Sequence, residues 1–347
     1  MSAPWLPQAV TVSSGGIRAV GTFGVLAGLL EENILDEVRD WYGCSGGSMC
    51  AFFMALGVSV SWARNAMSHL DGHIVSGFHD SLIGNYTTAL GFTDGSLLIE
   101  YIARFANTWE PGSGDWTFAD MKRERPNVTL TIIATNVSRG TLAHFNAELT
   151  PTMRIMDAIR ASSAIPFFYT PWLSPEGDLY ADGGLMEFYP WSCIKNKDKT
   201  LVIASTEKGV HGRSRPPRPI RTIGEYLERI LDIAQVELHT AAPRNWIAVP
   251  DDKVNFLDIY ITKEQRLELF DIGVAAAANW ISFRQKSLSL RTPETPPPCA
   301  RPDTLSSGSL LSDKTSDSLT AHSPQLPPCP PRDSHTQGQS PARRWSL

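Results

Sequence analysis

The sequence predicts an α/β domain around a mostly parallel sheet. Three observations point there. Strand-like apolar runs alternate with helical patterns through residues 8–205, glycine-rich turns separate strand from helix, and Val128 to Ala134 is a continuous β-branched run of the kind buried on both faces.

In chain order, Ala9-Val10-Thr11-Val12 reads as a short strand that breaks at Ser13-Ser14-Gly15-Gly16. After Arg18, Val20, Phe23, Val25, Leu26, Leu29 and Leu30 recur with helical spacing. The unit then repeats: Val38 to Tyr42 is strand-like, Gly43-Cys44-Ser45-Gly46-Gly47 is the turn, and Met49, Phe52, Phe53 and Leu56 mark a buried helix. Further on, Thr152 to Ser163 reads as a helix stopped before Pro166, and Leu201 to Ala204 as another buried strand. Residues 222–242 and 263–286 read as flanking helices, with Ile230, Leu231, Ala234 and Leu238 on one face of the first.

Composition sets the limits. The 347 residues are 42% hydrophobic and 19% charged with a net charge of -5, which suits a globular chain and disfavours one held to nucleic acid by a broad basic surface. The five cysteines, Cys44, Cys50, Cys193, Cys299 and Cys329, form no C-x-x-C pair, so no zinc ribbon or redox motif is encoded and a reducing compartment is the simpler reading. The segment Met1 to Pro7 has no basic, then apolar, leader pattern, and the longest apolar run, Met49 to Gly57, is too short to span a bilayer. A cytoplasmic protein is the expectation. Residues 291–347 are dense in proline and serine with Trp345 as their one aromatic, a composition that cannot offset chain entropy by burial. They are read as a disordered tail after a domain made of residues 8–205 and a helical part, 206–290.

Three motifs carry chemistry. Gly43-Cys44-Ser45-Gly46-Gly47 is a G-x-S-x-G placed between strand and helix, where small flanking residues permit a tight turn and the following helix N-terminus supplies N–H groups and a positive dipole. Taken singly it is equally a glycine turn before a buried helix. Ser14-Gly15-Gly16-Ile17-Arg18 lies at the preceding turn. It lacks the lysine of a phosphate-binding loop, which leaves an oxyanion site built from the N–H groups of Gly15, Gly16 and Ile17, with Arg18 steadying the loop or the charge, or an ordinary turn. Tyr180-Ala181-Asp182-Gly183-Gly184 offers Asp182 as a base for Ser45, and otherwise is a turn. A histidine base would have to be His211, in an arginine- and proline-rich loop, or His239, near a helix end, and neither setting favours it.

Together with Ala161-Ser162-Ser163-Ala164-Ile165-Pro166-Phe167-Phe168, these blocks occur in an order that resembles the patatin-like phospholipases. Thr93-Asp94-Gly95-Ser96 and Ile133 to Gly140 are weaker matches, and the resemblance covers about residues 8–205. It implies a three-layer α/β/α fold, a Ser45/Asp182 dyad without histidine, and calcium-independent hydrolysis of acyl esters in membrane lipids, with Gly15, Gly16 and Arg18 as the oxyanion region. No cofactor and no metal are implied. Ser14 and Ala19 depart from the family pattern, which has glycine at both places.

On this reading Asp182 deprotonates Ser45, the serine oxygen attacks an ester carbonyl, an acyl-serine forms and water releases the fatty acid. Desolvation that raises the aspartate pKa would make it a better base, and Leu179, Tyr180, Leu185 and Met186 are apolar neighbours suited to that. A transacylase, a histidine-triad esterase and a non-catalytic lipid- or protein-binding module are the alternatives. Cys44, Ser162 and Ser163 read as packing or capping residues, and His69, His73 and His79 as surface residues rather than metal ligands. The partner is a phospholipid or other acyl lipid at a membrane surface, met by transient peripheral association. Residues 73–92 form either a lid or an irregular buried segment. The basic run from His211 to Arg221 is a solvated loop, a headgroup contact, or, through Arg213-x-x-Pro216-x-x-Pro219, an SH3-type ligand.

Overall fold

The structure is a computed structural model describing residues 5–77, 90–205, 243–250, 254, 257, 258 and 260–289. The chain divides into two units, Met1–Thr292 and Pro293–Leu347, and every described residue lies in the first. The expected tail, the helix at 222–242 and most of the segment read as a lid or a buried stretch fall outside the described residues.

The strands are β1 (Ala9–Val12), β2 (Asp40–Cys44), β3 (Gly91–Thr93), β4 (Thr129–Asn136), β5 (Thr141–Phe145), β6 (Phe167–Tyr169), β7 (Trp172–Leu173), β8 (Leu179–Asp182), β9 (Thr200–Ala204) and β10 (Trp246–Ala248). The helices are α1 (Ala19–Glu31), α2 (Gly46–Leu56), α3 (Val60–His69), α4 (Gly72–Ser76), α5 (Ser96–Trp109), α6 (Phe118–Glu124), α7 (Ile155–Ser162) and α8 (Lys263–Ser289). Strands β10, β9, β1, β2 and β4 are mutually parallel neighbours, whereas β5 and β8 run antiparallel to β4 and β7 antiparallel to β8. This is the expected α/β architecture around a mostly parallel sheet. Strands β3 and β6 form a separate parallel pair.

Side-chain alternation divides the sheet between two apolar clusters. Val10, Val12, Leu201 and Ile203 point into the main core with α1 and α2, while Val202 and Ala204 meet Phe188 and Tyr189 on the other face. There Thr11 Oγ1 also donates to Pro190 O at 2.8 Å, so the chain after β8 covers that face. Helix α1 is buried nearly all round between the sheet and α8, which explains its lack of a polar face.

Two of the boundaries that differ from expectation lie next to the site. Val38 closes a turn through its N–H to Leu35 O, so β2 begins at Asp40 and runs up to Ser45. Helix α7 begins at Ile155, because Thr150 to Met153 form a turn and Arg154 bridges Thr117. Among the described residues no helix is long and apolar enough to cross a membrane.

Candidate active site

Ser45 follows β2 directly and opens α2, with φ 52° and ψ -127°. A non-glycine residue at positive φ stores on the order of 1–3 kcal/mol and persists only where neighbours over-determine it. Here Ser48 does so, donating from N and Oγ to Ser45 O at 2.8 and 2.6 Å. Gly47 allows the close approach to β1: a Cβ there would lie 2.3 Å from Ser13 O and 2.6 Å from Val12 O.

Strand register brings Asp182 to Ser45. On one edge of β4, Cys44 at the end of β2 pairs with Ile133, and Asp182 at the end of the oppositely directed β8 pairs with Ala134. Strand β5 occupies the other edge, pairing with both Ile133 and Ala134. Two strands therefore terminate head to head on adjacent residues of one template. Ser45 Oγ donates to Asp182 Oδ2 at 2.6 Å, and Gly184 N donates to Asp182 Oδ1 at 2.7 Å. A serine and aspartate in direct contact leave no room for an imidazole between them. Both histidines weighed for that role, His211 and His239, lie outside the described residues.

Burial pushes the Asp182 carboxyl up to about 6, against the opposing hydrogen bonds from Ser45 and Gly184. Asp182 is buried at the strand junction. Asp182 is 5% exposed, whereas Leu179, Tyr180, Leu185 and Met186 are only half-buried, and Tyr180 packs on Phe145 and Trp172.

The end of α7 and the loop after it hold both members of the pair. Ser45 N donates to Ser162 Oγ at 2.8 Å, and Asp182 N donates to Ala164 O at 2.9 Å. Ser162 is thus more than a packing residue. Its signal in the sequence was membership of the Ala161–Phe168 block, the third in chain order, but that spacing says nothing of what its hydroxyl touches.

Gly16, Ile17 and Arg18 form a 3-10 turn after β1, and the first N–H groups of such a turn have no partner within it. Gly16 takes φ 54°, the left-handed region that glycine enters at little cost. The two departures from the family pattern are harmless to the backbone. Ala19 has φ -56°, and Ser14 is not among the positive-φ residues. Ser205 anchors the loop, accepting from none of it but donating from N to Ser13 Oγ at 2.8 Å and from Oγ to Ser14 O at 2.7 Å. Arg18 is buried and its Nε donates to Val254 O at 2.6 Å, which ties the turn to the C-terminal part of the domain.

Ser45, Gly16 and Ile17 line one cavity, whose remaining wall is largely apolar and includes Met49, Leu98 and Phe168. Val75 of α4 also lines it, so this part of the 73–92 segment is cavity wall. Cys44 is fully buried, and burial, followed by the nearby Asp182 and Glu187 charges, pushes its thiol well up, so it stays protonated. His69 Nδ1 lies 2.9 Å from Asn65 O and His73 sits edge-on to Tyr260. Among the described residues no group of three or more His, Cys, Asp or Glu is placed to hold a metal ion. His79 and the Arg213 to Pro219 segment lie outside them.

The fold is a mostly parallel α/β sheet with a serine turn on the wall of a largely apolar cavity. The chain belongs to the patatin-like phospholipase family, whose family model matches residues 10–192. It is similar to an uncharacterized protein of Acanthamoeba polyphaga mimivirus, 25% identical over 286 residues that cover 78% of this chain and 93% of that one. It is also similar to the "probable lipid hydrolase 463L" of invertebrate iridescent virus 6, 23% identical over 206 residues covering 57% of this chain and 69% of that protein. The crystal structure of VipD from Legionella pneumophila shares the fold, with a TM-score of 0.50 and 15% identity over 82% of this chain and 68% of its own.

Proposed function

We propose that this lipid acyl hydrolase is a calcium-independent enzyme of phospholipase A type that works through a Ser45/Asp182 dyad. The observation that carries the reading is the 2.6 Å hydrogen bond from Ser45 Oγ to a carboxylate whose pKa lies near 6. Asp182 takes the serine proton as Ser45 Oγ attacks the ester carbonyl. N–H groups of Gly15, Gly16 and Ile17 receive the developing oxyanion, with Arg18 holding their turn in place. The proton passes to the departing lysophospholipid or alcohol, an acyl-serine remains, and Asp182 then activates the water that releases the fatty acid. Both carboxylate oxygens of Asp182 are engaged by protein donors, Ser45 and Gly184, so the proposed chemistry routes no step through calcium. Residues 8–205 form the catalytic unit and 206–290 complete the same domain.

The test is a serine-directed fluorophosphonate. It is expected to label the wild-type protein and not Ser45→Ala, and lipid turnover is expected to persist in excess chelator. An unlabelled wild-type protein, or turnover lost with chelator and restored by calcium, would refute this reading.

Transient docking on a lipid surface completes the proposal. Phe167 and Leu90 are 55% and 53% exposed, and both take positive φ, 67° and 59°. They are neighbours at the start of the β3–β6 pair, where Gly91 faces Phe167, and Phe168 and Tyr169 next to them line the cavity. Bulky residues kept in strained, exposed positions beside the cavity fit insertion into lipid. Burying a phenylalanine side chain is worth about 1.5–3 kcal/mol, roughly 10- to 100-fold in partitioning. Phe167→Ser is expected to lower vesicle binding and vesicle turnover by about that factor while leaving hydrolysis of a water-soluble ester within twofold. Equal loss on both substrates would reject the docking role.

A further inference from the structure

Ser163 ends α7, one residue beyond the serine that holds the Ser45 N–H. It is 5% exposed, and its hydroxyl has no hydrogen-bond partner among the described residues. Such a group is costly, because desolvation is not compensated, and native structures retain few of them. Its neighbours are satisfied: Ser162 Oγ accepts from Ser45 N, Ser163 N donates to Ile159 O, and Ala164 O accepts from Asp182 N. The unpartnered side chain belongs to a residue that lines the same cavity as Ser45, Gly16 and Ile17, on a wall otherwise formed by groups such as Met49, Ile165 and Phe168.

The chemistry of the cavity's occupant decides what this hydroxyl can do. A carboxylic ester carries only acceptors, the carbonyl and alkoxy oxygens, so a serine that reaches it must donate. The carbonyl oxygen gains negative charge as Ser45 attacks, and a donor in an apolar, water-poor wall strengthens as that charge grows. We infer that Ser163 Oγ, closed off from solvent in the empty cavity, turns about its Cα–Cβ bond on substrate binding and donates to the carbonyl oxygen of the bound ester, making it a catalytic residue that adds a side-chain donor to the main-chain N–H groups of the first turn. The inference rests on Ser45 being the nucleophile. It also accounts for retention of the unpaired hydroxyl: the protein tolerates an unsatisfied donor when empty because the substrate satisfies it when bound.

Activity and stability of Ser163→Ala should then move in opposite senses. Hydrolysis of a water-soluble carboxylic ester such as p-nitrophenyl butyrate is expected to fall by about 10- to 100-fold in kcat/KM, chiefly in kcat. The thermal unfolding midpoint of the free protein is expected to equal or exceed that of the wild type, since an uncompensated buried hydroxyl has gone. Ser163→Cys, which fills the same space with a much weaker donor, should show the same loss of kcat. A kcat/KM within twofold of wild type, a loss confined to KM, or a loss accompanied by a lower midpoint in both variants would overturn the assignment. Fluorophosphonate labelling separates this from the dyad. A wild-type protein that is not labelled at Ser45 refutes the nucleophile, whereas a labelled wild type with an equally fast Ser163→Ala refutes only the donor.

Discussion

Asp182→Asn is expected to reduce kcat/KM by roughly 10³- to 10⁴-fold, the usual cost of removing a general base, while making the folded protein more stable at neutral pH. Both effects come from the same burial. The folded-state pKa of Asp182 is about 6, against an ordinary value of 3.8, with desolvation as the leading cause. A carboxyl whose pKa is raised on folding binds its proton more tightly in the native state. Its contribution to stability is complete below pH 3.8 and is lost as pH rises through about 6. At pH 7 and above, the buried charge therefore costs about 3 kcal/mol, the shift multiplied by 1.36 kcal/mol per unit. Asparagine is isosteric, can accept from Gly184 N through Oδ1, and carries no charge to desolvate. Urea unfolding should show Asp182→Asn more stable than wild type by up to that amount at pH 8, with the difference closing near pH 4. The wild-type rate should rise as pH passes through about 6 and then level off, since the base must be ionised to accept the serine proton. An Asp182→Asn protein that keeps its activity would remove the base from the account, and one whose stability tracks wild type at every pH would remove the buried charge.

As candidates, Ser45 and Asp182 were legible because each sits in a short turn whose glycines and flanking strand are contiguous in sequence. Their contact was not. It depends on β2 and β8 ending on Ile133 and Ala134, a register between segments far apart in the chain that no local pattern encodes. The raised pKa follows from the burial of Asp182 at that junction, as desolvation was expected to produce, while Leu179, Tyr180, Leu185 and Met186 are themselves only half-buried. Ser162 and Ser163 were visible as residues and invisible as chemistry. One accepts from the Ser45 N–H and the other carries a buried hydroxyl with no partner among the described residues, distinctions set by side-chain direction at a helix end. The substitutions at Ser14 and Ala19 proved simple once φ was known, because neither residue occupies the left-handed region. The seam between α1 and α8 had a signal that periodicity alone passes over. Gly21, Gly24 and Gly28 recur along one helix, and Gly273 lies in the other.

That seam sets the second large effect. In a helix interior, glycine to alanine ordinarily stabilises by about 0.8–1 kcal/mol. At Gly24 the sign should reverse. A Cβ on Gly24 would lie 2.0 Å from Phe270 O and 2.8 Å from Phe270 C, and one on Gly273 would lie 1.9 Å from Gly21 O. The atoms met are backbone, so no rotamer change can make room and the two helices must move apart. Separation loosens Leu269 and Phe270 of α8, which are 2% and 1% exposed, from the core they share with Phe23, Val25 and Leu29. Full loss of such burial costs about 1.5–3 kcal/mol per side chain, and overpacking itself about 1–3 kcal/mol. Gly24→Ala is therefore expected to destabilise by about 3 kcal/mol or more, a large part of the 5–15 kcal/mol that typical domains possess. Gly28→Ala is the internal comparison. Its nearest obstacle is the Ala277 methyl at 3.0 Å, with Val274 O at 3.3 Å, so small shifts relieve it and its cost should stay below about 1.5 kcal/mol. Chemical denaturation of the two variants measures the difference directly. A Gly24→Ala protein as stable as wild type would mean that α8 does not pack on α1 at this distance, and the graded order of the two alanines is what close backbone contact, rather than helix propensity, requires.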